Sequence, residues 1–290
     1  MSDRREIGLR VGIIGKTNKK EVFEIAGELS KWLAKREVDV YVEEEIGIKI
    51  GHPDSVPRGV LPEVSDVVLV FGGDGTFLDV ARLVCRSNIP ILGVNLGGLG
   101  FLTEITIDEL YPVVESITNG EYVTEKREML SAVIHRSSNR IGDYFVLNDV
   151  VICKGAMARV IDLEMYIDGS SVTSYRADGL ILSTPTGSTA YSLSAGGPIV
   201  YPTLPLTIIT PISPHMLTNR PLVVSNESTI KVKVLTETSD IYLTLDGQVG
   251  VNLELGDEIE VKKSGNSVRL IRSPFRDYFT ILKTKLMWGK

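Results

Sequence analysis

The chain has 290 residues, 43% hydrophobic and 23% charged, with a formal net charge of -6; this predicts one large or two ordinary globular domains and no nucleic-acid partner. No segment approaches the ~18 apolar residues of a membrane span, and the opening MSDRRE has no apolar stretch behind it to serve as a signal peptide. The expectation is a cytoplasmic enzyme.

In chain order, residues 7–14 (IGLRVGII) read as a strand, and residues 20–36 as a helix, with Val22, Ile25, Ala26, Leu29, Trp32 and Leu33 at helical spacing. Residues 38–42 and 67–71 read as strands, 77–85 as a helix, 90–94 as a strand, and 108–118 as a helix capped by Asp108. Residues 51–59, with Pro53 and Pro57, read as a loop. Strands alternating with helices predict a mainly parallel sheet covered on both faces, with ligands at the carboxyl ends of its strands. Residues 72–76 and 95–101 (NLGGLGF) both follow strands and should line one crevice. From about Leu130 the pattern becomes short β runs, among them 229–234, 241–245, 258–261 and 268–271, separated by turn signals at Asp168-Gly169, Asp246-Gly247 and Gly265-Asn266. The fold class is therefore α/β plus β: an α/β nucleotide-binding domain over 1–128, joined by a returning tail at 275–290, and an antiparallel β-sandwich-like domain over 129–274.

The densest chemical signal is Gly72-Gly73-Asp74-Gly75-Thr76, between an apolar strand and a helix. A glycine-rich turn places backbone N–H groups at the positive end of a helix without Cβ atoms to obstruct a phosphate. An acid inside such a turn repels phosphate, so Asp74 reads as a base for an attacking hydroxyl or a contact to a cation bridging phosphates. The plain alternative is that Asp74 or Thr76 caps the helix. Two familiar motifs fail: the P-loop glycine before Gly15-Lys16-Thr17 is replaced by Arg10, and the third glycine of a dinucleotide fingerprint after Gly73 and Gly75 by Leu78. Cys85 and Cys153 lie in apolar runs and read as buried thiols, and the three histidines are scattered.

A second dense stretch, 175–198 (YRADGLILSTPTGSTAYSLSAGGP), crowds small hydroxyls among glycines, a set that serves to hold a sugar and a base edge. Arg176 and Asp178 flank it at alternate positions.

Together with Leu147-Asn148-Asp149, the run 178–198, residues 212–217 (ISPHML) and Asn219-Arg220-Pro221, the aspartate turn resembles the NAD kinase family over nearly the whole chain. The turn by itself is shared with diacylglycerol and sphingosine kinases and, more distantly, phosphofructokinases. The resemblance implies transfer of the γ-phosphoryl of ATP, or a phosphoryl of polyphosphate, to the 2′-hydroxyl of the adenosine ribose of NAD. It further implies a divalent cation such as Mg2+, with ligands the sequence leaves open, and a homodimer or homotetramer. Carried over, Asp74 is the catalytic base, and Gly72, Gly73, Gly75 and Thr76 bind phosphate. Asp74, Gly75, Phe101, Asn148, Asp149, Arg159, Arg176, Asp178, Thr189, Ala190, Tyr191, Ser192, Leu193, Ser194 and Gln248 contact NAD. One departure is Asp149, where many members carry glutamate. The competing classes are a lipid kinase sharing the turn and a non-catalytic dinucleotide sensor.

Overall fold

The computed structural model describes residues 8–155, 160–216, 218–237 and 240–288. The chain divides into two compact units, 1–126 with 268–290, and 127–267.

The first unit runs β1 (Arg10–Gly15), α1 (Lys20–Ala34), β2 (Asp39–Glu43), α2 (Glu44–Ile50), β3 (Ser55–Val56), α3 (Leu61–Val64), β4 (Val67–Phe71), α4 (Asp74–Val84), β5 (Pro90–Asn95), β6 (Ile105–Thr106) and α5 (Leu110–Thr118). Its strands pair in the order β3-β2-β1-β4-β5, all parallel, with β6 parallel to β5. Every residue of β4 is buried, as its unbroken VVLVF run requires of a parallel strand covered on both faces. Helix α1 buries Val22, Ala26, Leu29 and Leu33, the stripe its spacing predicts. These side chains join Ile13, Leu69, Phe71 and Leu92 in one core.

Two local expectations change. Helix α5 is preceded by a 3-10 turn over Ile107–Glu109 whose cap is Thr106, not Asp108: Thr106 and Glu109 form a reciprocal capping box, with the Thr106 N–H donating to Glu109 Oε2 at 3.0 Å. The segment 51–59 is not a plain loop. Ser55–Val56 pairs in parallel with Val42–Glu43, and α2 before it ends at Gly51 in the left-handed conformation with φ 68°.

The second unit contains β7 (Thr124–Arg136), β8 (Asn139–Val146), β9 (Asp149–Lys154), β10 (Ile161–Ile167), β11 (Ser170–Ala177), β12 (Gly179–Ser183), α6 (Tyr191–Ser194), β13 (Leu206–Ile212), β14 (Leu222–Ser225), β15 (Ile230–Val234), β16 (Ile241–Leu245), β17 (Val249–Leu253) and β18 (Glu258–Ile271). One antiparallel sheet has the order β14-β13-β12-β9-β16-β17; the other runs β11-β10-β15-β18, with β7 beside β18 and β8. Leu163, Val232 and Val261 from one and Val150, Leu182 and Leu243 from the other share a single buried core, the sandwich arrangement. Val232 and Val234 point inward while Lys233 is exposed, as alternation predicts. The expected turn at Gly265-Asn266 is absent: 258–261 and 268–271 are parts of one 14-residue strand. Its start pairs with β15, and Arg269 and Leu270 pair with Pro90 and Ile91. Ladder pairing at both ends outweighs the weak turn preference of a Gly-Asn pair. Helix α7 (Tyr278–Leu286) closes the chain in the first unit, capped by Asp277, which accepts from Thr280 N at 2.7 Å. No helix among the described residues is long and apolar enough to cross a membrane.

Candidate active site

In the first unit the backbone passes from β4 into α4 through Gly72 and Gly73. Gly72 N donates to Val94 O at 3.0 Å, tying the turn to β5. A Cβ on Gly72 would collide with the Thr76 side chain, so the close turn needs glycine there. Helix α4 begins at Asp74, and its N-cap position is held by Gly73, which has no side chain to cap with. The capping reading of Asp74 therefore does not hold.

The Asp74 carboxylate instead reaches the stretch that follows β5. Oδ2 accepts from Phe101 N at 2.9 Å. Oδ1 accepts from Leu102 N at 3.1 Å, Thr103 N at 3.1 Å and Thr103 Oγ1 at 3.0 Å. A Cβ on Gly100 would strike both Asp74 Oδ1 and Thr103 Oγ1, so the last glycine of NLGGLGF makes room for the carboxylate. The two glycine-rich stretches thus meet at Asp74, at the carboxyl ends of neighbouring parallel strands. Phe101 is half-buried beside them.

In the second unit a cavity of about 330 Å³ is lined by Asn148, Asp149, Val151, Cys153, Ala190, Tyr191, Thr244, Asp246 and Gly247. Asp149, Val151 and Cys153 alternate along β9 and so share one face, and Thr244 sits opposite Val151 on β16. The turn after β16 carries Asp246 and Gly247 at φ 50° and 65°. The Asp246 carboxylate accepts from the backbone N–H groups of Leu147 (3.1 Å), Asn148 (2.7 Å) and Asp149 (3.2 Å), and Asp246 N donates back to Asp149 O at 3.0 Å. Asp149 itself is 5% exposed. Burial, and then the charge of Asp246, push its carboxyl from 3.8 up to about 7. Burial also raises the Cys153 thiol, which makes it a lining group rather than a nucleophile. The phenol of Tyr191, raised by burial, stands half-exposed at the cavity. An amide, a carboxyl near neutrality and an aromatic ring around one hollow can hold a sugar and a flat base.

Several hydroxyls of the hydroxyl-rich run have partners within the protein. Thr184 Oγ1 donates to Leu147 O at 2.5 Å, Ser183 Oγ to Asn148 O at 3.2 Å, and Ser188 Oγ to Val200 O at 3.2 Å. Ser192 is fully buried and its hydroxyl pairs with that of Thr210 at 2.9 Å, so its side chain stands behind the cavity wall. These hydroxyls build the loop; of the predicted residues 189–194, Ala190 and Tyr191 line the cavity. Gln248 is exposed on the hairpin beside it. Arg176 is exposed at the end of β11, and Asp178 pairs with Lys154 Nζ at 3.4 Å. Arg159 lies outside the described residues.

A model of the ATP-NAD kinase N-terminal domain matches residues 11–122, and one of the ATP-NAD kinase C-terminal domain matches residues 147–273. The NAD kinase of Syntrophotalea carbinolica is 48% identical over 282 residues, covering 97% of this chain and 99% of that protein. The chain belongs to the NAD kinase family. The enzyme of Geobacter sulfurreducens is similarly 48% identical over 281 residues, with the same coverage. Among solved structures, yeast NADH kinase complexed with NADH superposes with a TM-score of 0.90 at 29% identity, over 98% of this chain and 89% of that one. An NAD kinase from Archaeoglobus fulgidus in complex with ATP gives 0.78 at 27% identity, over 96% and 99%. The chain is thus a phosphotransferase, and neither the lipid-kinase nor the sensor reading is favoured.

Two residues of this NAD kinase escape sequence reasoning. Asp246 reads in sequence only as a turn former, yet it holds the backbone that carries Asn148 and Asp149. Thr103 has no sequence signal beyond its place after the second glycine run, yet its hydroxyl and N–H both hold Asp74. Among the described residues no three His, Cys, Asp or Glu side chains gather into a metal cage.

Proposed function

We propose that the chain transfers the γ-phosphoryl of ATP to the 2′-hydroxyl of the adenosine ribose of NAD, with Asp74 as general base. The observation that carries this reading is the anchored Asp74 carboxylate at the start of α4, fixed by four hydrogen bonds within a chain of this family. A ribose hydroxyl is a weak nucleophile, and phosphoryl transfer needs alignment, charge neutralisation and removal of one proton. The carboxylate takes that proton. Gly72, Gly73, Gly75 and Thr76 receive the phosphates at the glycine-rich turn and the positive start of α4. A divalent cation would supply charge neutralisation. Asn148, Asp149, Ala190 and Tyr191 bind the dinucleotide in the second-unit cavity, whose lining they form. We further assign Gly75, Phe101, Arg176, Asp178, Thr189, Leu193, Ser194 and Gln248 to the NAD site, and expect a cytoplasmic homo-oligomer.

The test is product identity. Purified protein with NAD, ATP and Mg2+ should yield NAD bearing one added phosphate at the 2′ position, identified by mass and phosphorus NMR, and chelation of the cation should stop the reaction. A product phosphorylated elsewhere, or no transfer from ATP or polyphosphate, overturns the reading.

A further inference from the structure

We propose that Asn95 and Thr103 are positioning residues for the transfer: they form a one-way hydrogen-bond relay that saturates Oδ1 of Asp74 and leaves Oδ2 as the oxygen that accepts the ribose proton. The inference rests on Asp74 being the base.

The direction of the relay follows from its fixed end. Gly97 N–H donates to Asn95 Oδ1 at 2.8 Å. A backbone N–H can only donate, so the Asn95 amide has its oxygen on that side and its NH2 on the other. The NH2 nitrogen donates to Thr103 Oγ1 at 2.7 Å. With Oγ1 accepting there, the single hydroxyl hydrogen of Thr103 is directed to Asp74 Oδ1, 3.0 Å away. Asn95 is 8% exposed and Thr103 not at all, which shelters the relay from water. Leu102 N and Thr103 N add two more donors to Oδ1 at 3.1 Å each. A carboxylate offers about four lone-pair sites over its two oxygens. Oδ1 thus carries three donors, while Oδ2 carries one, from Phe101 N at 2.9 Å.

The two oxygens are therefore not equivalent. Four directional bonds fix the plane of the carboxylate, and rotation out of that plane breaks them. In the transfer, the ribose 2′-oxygen forms its bond to the γ-phosphorus while the bond from that phosphorus to the bridging oxygen breaks, its electron pair leaving with ADP. The 2′-hydroxyl proton passes to Oδ2. A carboxylate free to rotate would present the wrong lone pair for part of the time, and loss of alignment at a reacting group is costly in rate.

Steady-state kinetics of NADP formation on the full chain test this, with Thr103→Val, Thr103→Ser, Asn95→Asp and Asp74→Asn assayed side by side and folding checked by thermal melting. Thr103→Val keeps the side-chain shape and removes the hydroxyl; kcat should fall ~10–100-fold with KM for NAD nearly unchanged. Thr103→Ser returns the hydroxyl and should restore most of kcat. Asn95→Asp reads the relay from its far end: a carboxylate cannot donate, so the Thr103 hydroxyl turns toward it, and kcat should fall as in Thr103→Val. The double variant Asn95→Asp/Thr103→Val should lose little more than either alone, since both break one chain. Parent-like kcat in Thr103→Val or Asn95→Asp beside an inactive Asp74→Asn overturns the relay. So does a loss that appears in KM, or failure of serine to restore the rate. An active Asp74→Asn variant would instead remove the base assignment itself, and the relay with it.

Discussion

Asp74 is tied by backbone and hydroxyl donors from three successive residues, Phe101 to Thr103, so removing its charge should disturb chemistry far more than binding. Asp74→Asn should lose ~10²–10⁴-fold in turnover, with NAD affinity by calorimetry close to the parent; a parent-like rate would leave Asp74 a purely structural group. Gly100→Ala places a Cβ against Asp74 Oδ1 and Thr103 Oγ1. It should cost ~1–3 kcal/mol of stability by overpacking, and lower kcat by pushing the carboxylate out of place. A variant with parent melting temperature and rate would show that the loop yields freely. Asp149 carries a pH signature. Its carboxyl titrates at about 7 when folded against 3.8 ordinarily, so the folded state holds the proton more tightly. Its contribution to stability is therefore full at acid pH, declines as pH rises from about 4 to about 7, and is flat above that. Denaturant midpoints at about pH 5 and about pH 8 should differ less in Asp149→Asn than in the parent.

At the scale of elements, the β16–β17 hairpin acts as a clamp. Its turn residue Asp246 binds three consecutive N–H groups of 147–149, and the register Leu245↔Val150 sets it beside them. Asp246→Ala would leave those donors without their acceptor in a buried place. Unsatisfied buried donors cost ~1–3 kcal/mol each, so a loss of several kcal/mol in urea unfolding is expected, together with weaker NAD binding as Asn148 and Asp149 lose their support. Unchanged stability would mean that water replaces the carboxylate. Elements differed in how openly the sequence showed them. VVLVF declares a buried parallel strand because both its faces are covered. The long strand β18 does not declare itself, since its middle, Ser264-Gly265-Asn266, has the composition of a turn and is held extended by partners remote in sequence.

For the whole molecule, the open edges of the second unit predict self-association. Among the described residues, strand β14 pairs only with β13 and leaves Leu222 and Val223 exposed; β17 at the other end exposes Val249. Closed symmetric assembly covers such edges. Light scattering at micromolar concentration should report a dimer or tetramer, and a monomer would refute this. If Asp178 serves the site of a neighbouring subunit, mixing inactive Asp74→Asn and Asp178→Ala chains after reversible dissociation should restore part of the activity. No recovery in a demonstrably mixed oligomer would place each site within one chain.

The sequence by itself determined the strand–helix alternation of the first unit, the β character of the second, the glycine–aspartate turn and the family. Each of these is written in local periodicity or contiguous residues, which need no knowledge of distant partners. Tertiary structure alone decided what the polar groups do. Ser183, Thr184, Ser188 and Ser192 look alike in sequence to ligand-binding hydroxyls, but folding places carbonyls or another hydroxyl beside each one and uses them internally. Asp74 meets Thr103, and Asp246 meets Asn148, across 29 and 98 residues. A hydrogen bond is satisfied by whichever partner packing brings within about 3 Å, and for a buried group that partner is set by the sheet register rather than by its neighbours along the chain.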